Sequence, residues 1–206
     1  MMNFDFYDSL MEDINDFDII DKVIIENDFV KVYSKNKVGI SSYVKSAGDV
    51  ETKDMTGKKL KEVAKLIYSW NFALASIALA AINCYYNDLN RFDKNCLIQG
   101  NSFVENEVIM KDKIVATIGH FRFSDKYFEK AKALYVFERN PKFDDFPDTA
   151  IEYMMKDVEV VFITGQTIIN KSITRILELA KNAHIVLVGF SSPLCDKLFQ
   201  YGINEI

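Results

Sequence analysis

The feature that most constrains the fold of this sequence is a series of four short apolar runs in its second half. Each has the length of a buried strand and ends in a turn with Gly, Glu or Asn before a helical stretch: 113–119, 134–138, 158–165 and 185–189. This alternation predicts parallel strands joined by right-handed crossovers. The expected fold class is therefore a doubly wound α/β domain, which binds ligands at the carboxyl ends of its strands.

The first half of the chain predicts a small α+β domain. Apolar residues spaced by four predict an amphipathic helix over 4–18. Two β-rich runs, 22–33 and 37–44, are joined by the turn residues 34–36 and predict a hairpin. We expect the second run to bury one face, which carries Val38, Ile40 and Tyr43.

An uncharged stretch of 21 residues, 66–86, has the length of a membrane span. Polar residues such as Asn71 and Asn83 interrupt it, alanines dilute its hydrophobicity, and no basic cluster adjoins it. These features favour buried helices, which we place at 58–67 and 71–86, and no association with a membrane is expected.

A polar segment, 87–112, separates the two halves and contains a short strand-like piece at 106–110. We place the domain boundary there. The first domain is expected to cover 1–108, and the second 109–206.

Composition narrows the function classes. The chain has 25 Lys and Arg against 30 Asp and Glu, and its basic residues are scattered, which argues against a nucleic-acid partner. Its three cysteines, Cys84, Cys96 and Cys195, lack metal-ligand spacing. Their odd number and a start without a leader pattern indicate a reduced, cytoplasmic protein.

Five motifs occur in the order and spacing of a known family. They are IGHF (118–121), FERNP (137–141), DFPDTA (145–150), ITGQTIIN (163–170) and VLVGFSSPL (186–194). Together with the alanine-rich WNFALASIALAAINC (70–84), they resemble the putative heavy-metal-chelation family.

The resemblance implies a Rossmann-like second domain, an enolase-N-terminal-like first domain and a ligand crevice between them. It also points to a divalent transition metal as a cofactor. This chain departs from the family in placing Phe190 where a proline is usual in Gly-Pro-Ser, and Cys195 near the position of a second proline. Longer relatives continue with a strand and a helix beyond the position of Ile206.

The strand-end loops supply the candidate ligand-binding residues. A glycine after the first strand lets backbone N–H groups approach a ligand, although the dinucleotide fingerprint G-x-G-x-x-G is absent. Nicotinamide or flavin dinucleotides are therefore disfavoured. The predicted ligand-binding residues are Gly119, Phe121, Glu138, Thr164, Gly165, Asn170 and Ser191.

Several of these residues have an alternative structural explanation. Glu138 could contact a ligand or form an ion pair with Arg139 or Lys142. Asn170 or Ser172 could cap the following helix.

The sequence has few of the residues that bind soft metals, with two histidines and three cysteines. His120 and Glu138 are the candidate metal ligands because both follow strands, and Cys195 or Cys84 could join His120 only if the fold brings them together. His184 precedes a strand, which favours a structural position.

Three functional hypotheses follow. The first is a protein that binds a small anionic ligand or a metal complex in the crevice. The second is an enzyme, a transferase or lyase acting on a small cofactor-like molecule, with Glu138 as its acid or base. No catalytic residue is otherwise identified. The third is a helper subunit whose polar loop residues fill the crevice themselves, and a homo-oligomer is left open.

Overall fold

The computed structural model describes residues 4–46, 50–88, 91–92, 100–121 and 125–206 and shows a mixed α/β fold. Its contacts divide the chain into two units. The first unit comprises Met1–Asp93, Gly165–Ser172 and Gly189–Tyr201. The second unit comprises Lys94–Thr164, Ile173–Val188 and Gly202–Ile206.

The described residues form short helices and strands, which are numbered in chain order. The α-helices are α1 (Asp5–Glu12), α2 (Leu60–Ala64), α3 (Phe72–Tyr86), α4 (Ser102–Glu105), α5 (Glu107–Met110), α6 (Ile151–Met154), α7 (Gln166–Ile169) and α8 (Ile173–Leu179). The strands are β1 (Lys22–Glu26), β2 (Phe29–Ser34), β3 (Lys37–Ser42), β4 (Ile114–Ile118), β5 (Ala133–Glu138), β6 (Phe146–Pro147), β7 (Val160–Thr164) and β8 (His184–Val188). Several connections are short 3-10 helices, among them Asp125–Tyr127 and Asp196–Tyr201.

The first unit contains an antiparallel sheet of order β1-β2-β3. The predicted hairpin at 34–36 is confirmed, since β2 and β3 pair across it. The β-rich run 22–33 contains a second hairpin, whose turn residues Asn27 and Asp28 have φ values of 49° and 63°. Asn and Asp tolerate this left-handed backbone better than most residues, which explains where the run folds back.

Helix α3 packs directly on β3, and this contact reverses the predicted face of the strand. A Cβ on Gly39 would lie 2.0 Å from the carbonyl oxygen of Ala80 and 2.1 Å from the nitrogen of Cys84. The buried side of β3 therefore carries the small residues Gly39 and Ser41, and Val38 is 44% exposed. The prediction that Val38 marks the buried face was wrong because the helix comes too close for a large side chain.

The predicted core helix is confirmed in α3. The side chain of Asn71 accepts hydrogen bonds from the backbone N–H groups of Ala73 and Leu74 and begins the helix. Almost every residue of α3 is buried. Within the described part of the chain, no helix combines the length and apolar character needed to cross a membrane.

The second unit contains a parallel sheet of order β6-β5-β4-β7-β8, so all four predicted strands of the second half are confirmed. One face of the sheet packs in a core cluster with Met110 and Phe128. The α/β class predicted from the alternation is therefore correct.

Two local predictions were wrong. The strand-like piece 106–110 is helical: Asn101 caps α4, and the Asn106 side chain donates to the carbonyl of Ser102, so polar side chains satisfy helix ends there. Helix α1 ends at Glu12 rather than near residue 18, because Asn15 accepts the backbone N–H groups of Phe17 and Asp18 in a turn. The predicted turn at 47–49 lies outside the described residues.

Candidate functional site

The predicted ligand-binding residues divide between the two units. Gly119, Phe121, Glu138 and Thr164 belong to the second unit, as does the predicted metal ligand His120. Gly165, Asn170 and Ser191 belong to the first unit. Each group is therefore positioned by the packing of its own unit.

Gly119 directly follows β4 and has a left-handed backbone, φ 101°. Its N–H donates to the carbonyl of Phe137 at 2.9 Å, and a Cβ there would lie 3.1 Å from the Cγ2 atom of Thr164. A glycine is favoured by both the φ value and the limited space.

Glu138 ends β5, and its carboxylate caps backbone groups. Oε2 accepts the N–H of His120 at 3.0 Å, and Oε1 accepts the N–H groups of Arg139 and Asn140 at 2.8 and 3.3 Å. The ion-pair alternative with Arg139 was wrong, because the Arg139 guanidinium pairs with Asp148 at 3.2 Å. Glu138 thus ties the β4 turn to the β5 turn.

The imidazole of His120 is held by Asp145, a residue that the sequence did not single out. Nδ1 lies 3.1 Å from both carboxylate oxygens of Asp145. The Asp145 side chain is only 6% exposed, and the His120 side chain is 39% exposed. A carboxylate on Nδ1 sets the orientation of the ring and leaves Nε2 as the nitrogen that can meet a ligand.

Asp145 lies in the DFPDTA motif, so an acidic residue near the start of β6 was visible in the sequence. Its pairing with His120, 25 residues away, depends on the parallel alignment of β4, β5 and β6. No spacing rule in the sequence encodes that contact.

Phe121 has an internal role in the second unit. Its ring meets that of Phe103 edge to face at 5.3 Å and packs against the core cluster. Packing within the second unit therefore explains why position 121 is aromatic, and no ligand contact is needed to explain it.

In the first unit, Gly165 and Ser191 hold two loops together. A Cβ on Gly165 would lie 2.5 Å from the carbonyl carbon of Ser191, although its φ of −58° suits any residue. The Ser191 hydroxyl accepts the backbone N–H of Ser42 at 2.9 Å, and Gln166 donates to the Ser42 hydroxyl at 2.9 Å. Gly165 is therefore closely packed, and the Ser191 hydroxyl makes a buried hydrogen bond within the unit.

Asn170 also has local partners. Its side-chain oxygen accepts the N–H and the hydroxyl of Ser172 at 3.0 and 2.6 Å, directly before α8. This arrangement supports a structural role at the helix start.

The other histidine and two of the cysteines are placed structurally. His184 begins β8 as predicted, and its Nε2 lies 3.0 Å from Glu205. Cys84 and Cys195 are free thiols buried in the first unit. Burial raises the pKa of Cys84 to about 11 and also raises the pKa of Cys195. Cys96 lies outside the described residues.

No three His, Cys, Asp or Glu side chains come together as a metal-ligand group within the ranges that the structure describes. Of the two predicted metal ligands, His120 keeps Nε2 as a coordinating atom, whereas both oxygens of Glu138 already accept backbone N–H groups. They do not form a complete chelating set.

Sequence and structure comparisons agree on the relationships of the chain. Two family models match it, at residues 7–86 and 102–206, and both are described as putative heavy-metal chelation. An uncharacterized protein of Methanocaldococcus jannaschii is 27% identical over 213 residues, which cover 96% of this chain and 80% of the relative.

Two crystal structures of proteins of unknown function, both from the DUF364 family, share the fold. The protein from Desulfitobacterium hafniense superposes with a TM-score of 0.90 at 30% identity, over 97% of this chain and 83% of its own. The protein from Pyrococcus horikoshii gives a TM-score of 0.71 at 23% identity, over 94% and 81%. One family model covers half of the chain, and the protein from Desulfitobacterium hafniense is 30% identical to it. The chain therefore belongs to the family described as putative heavy-metal chelation.

Proposed function

We propose that the protein binds a small anionic ligand or a metal complex at the carboxyl end of the parallel sheet in the second unit. The observation that carries the proposal is the pairing of His120 Nδ1 with both oxygens of Asp145. Such carboxylate–histidine pairs orient imidazoles that bind metals, because the carboxylate fixes the tautomer and raises the basicity of the other nitrogen.

The charges of the segment 138–148, whose Asp145 contacts His120, favour a metal complex over a free anion. Residues 138–148 carry four carboxylates and two basic side chains. One of the two, Arg139, is already paired with Asp148. A ligand that carries positive charge on a metal would be attracted here, whereas a bare anion would meet like charge.

The second candidate function is an enzyme, a transferase or lyase that acts on a small cofactor-like molecule. The same histidine supports it, since an imidazole oriented by a carboxylate is a common general acid or base. His120 suits that role better than the predicted Glu138, whose oxygens already accept three backbone N–H groups. A ligand recovered in altered form would favour this candidate.

Other parts of the sequence interpretation remain predictions. They include the division of domains at residue 108, the enolase-like class of the first domain, the crevice as the place of the ligand and the cytoplasmic location. Ligand contacts of Gly165, Asn170 and Ser191 belong with them. The internal partners of these three residues lend weight to the helper-subunit hypothesis.

Native mass spectrometry with elemental analysis of the purified protein tests the proposal. We expect a molecule or metal to copurify with the wild type and to be absent from His120→Ala. In Glu138→Ala the bound amount should fall, because the backbone N–H of His120 loses its acceptor. His184→Ala is the matched control, because that histidine also pairs with a carboxylate.

Retention of the molecule in His120→Ala would exclude the His120 site. A wild-type protein that copurifies with nothing, and binds nothing added back from a cell extract of small molecules, would favour the helper-subunit hypothesis.

A further inference from the structure

The donor atoms of the described residues do not converge on one point, although the family description implies chelation. At the β4 end, Asp145 directs both oxygens at His120 Nδ1 and also accepts the N–H of Lys142 at 3.0 Å. Glu138 accepts three backbone N–H groups. Of these three described side chains, His120 is the one that keeps a donor atom for a metal, Nε2.

The buried thiols of the first unit do not change this inventory. Soft metals prefer thiolate and imidazole ligands. Burial raises the pKa of Cys84 to about 11, so that thiol stays protonated near neutral pH. Cys195 is 1% exposed and its pKa is raised by the same cause.

A turn next to His120 carries an exposed aromatic ring that the fold does not use. Phe143 is 98% exposed and has a φ of 51°, a left-handed backbone that glycine adopts at far lower cost. The turn is closed by the N–H of Asp145, which donates to the carbonyl of Lys142 at 3.0 Å. Asp145 therefore holds both the His120 ring and the turn that carries Phe143.

We infer that the metal reaches this protein already chelated by a flat conjugated organic molecule, with His120 Nε2 as the one protein donor and Phe143 as a stacking surface. The inference rests on the proposed function and names its ligand class. An aromatic ring recognises a flat conjugated ligand through offset stacking. A single imidazole can occupy a coordination position that such a chelator leaves open.

The test compares two probes on the full-length, reduced protein by isothermal titration: Cd²⁺ alone, and the one-to-one complex of Cd²⁺ with terpyridine. We expect the complex to bind at least about tenfold more tightly than Cd²⁺ alone. His120→Ala should abolish that preference. Phe143→Gly should weaken only the complex, and His184→Ala should change neither probe.

Tight stoichiometric binding of Cd²⁺ alone would overturn the inference. Loss of that binding in Cys96→Ser would then identify a protein thiolate as a donor. A protein that binds neither probe, yet copurifies with a molecule lost in His120→Ala, would overturn the flat-complex inference and leave the proposed function standing. If nothing copurifies with the protein and neither probe binds, both the flat-complex inference and the proposed function are contradicted.

Discussion

The loops after β7 and β8 differ from the loops after β4 and β5 in what their polar groups contact. In the first unit, Gly165 and Ser191 pack against one another, and Ser191 binds the backbone of β3 within a buried network. In the second unit, His120 and Phe143 are partly or fully exposed, and Asp145 orients the imidazole. The same strand-end position therefore serves cohesion in one unit and exposes reactive or apolar groups in the other.

The two strand-end glycines show why sequence alone does not separate these roles. Gly119 has a left-handed backbone, so its conformation calls for glycine. Gly165 has an ordinary helical φ of −58° and is glycine because the backbone of Ser191 lies against it. A glycine after a strand is thus compatible with a ligand loop and with close internal packing.

Gly165→Ala should give the largest effect. Because the new Cβ would lie 2.5 Å from backbone atoms of Ser191, we expect a loss of about 3 kcal/mol in the free energy of unfolding. Urea denaturation checks it. Gly189→Ala is the control: its Cβ meets nothing within 4 Å, and its φ of 93° predicts a smaller loss of roughly 1–2 kcal/mol. Equal losses would contradict the packing role of Gly165.

Ser191→Ala and His120→Ala should separate the two kinds of loop. Removing the Ser191 hydroxyl leaves the buried N–H of Ser42 without its acceptor, which costs about 2 kcal/mol. His120→Ala removes a partly exposed ring but takes a partner from the largely buried Asp145 carboxylate, which keeps the N–H of Lys142, so we expect a loss below about 1 kcal/mol. Thermal and urea unfolding of both variants give the comparison, and a large loss in His120→Ala would assign that residue to the fold.

Phe143→Gly should stabilise the protein. The change relieves a left-handed backbone but increases the entropy of the unfolded chain, so the net gain is at most about 1 kcal/mol. Phe17→Gly is the control, because Phe17 is 81% exposed and is not among the described residues with positive φ. We expect that control to be neutral or slightly destabilised, as measured by urea denaturation. A destabilised Phe143→Gly would show that the ring packs within the fold.

Lys171 should give a small effect of a different kind, a pH dependence of stability in the first unit. Its ammonium donates to the carbonyls of Ile67 and Ile169 at 2.5 and 3.1 Å and lies 5.1 Å from the ring of Tyr7. Burial lowers the pKa of Lys171 to about 8, and burial also raises the pKa of Tyr7, which stays neutral.

Since the unfolded chain holds the lysine proton up to its ordinary pKa, stability relative to Lys171→Met should rise between pH 8 and about 10.5. The rise should be below about 1 kcal/mol, because the side chain is partly exposed and water screens it. Urea midpoints of the wild type and Lys171→Met across this pH range measure the rise. A difference in stability that does not change with pH would show that the lowered pKa of Lys171 does not contribute.

Much of the architecture could be predicted because it depends on local patterns. Four of the five strands of the parallel sheet, the hairpin at 34–36 and the start of α3 near Asn71 all follow from apolar runs and turn residues. The buried face of β3 could not, because the distance between α3 and Gly39 is a property of the packed pair. The helical state of 106–110 was likewise hidden by its β-like composition.

The candidate site shows the same division. The sequence by itself determined the α/β class, the strand-end positions of Gly119, His120 and Glu138 and the family to which the motifs belong. Only the tertiary structure decided that Asp145 orients His120 and that Glu138 accepts backbone N–H groups. The physical reason is that periodicity and turn chemistry act between neighbours in the chain, whereas these contacts depend on the register of parallel strands.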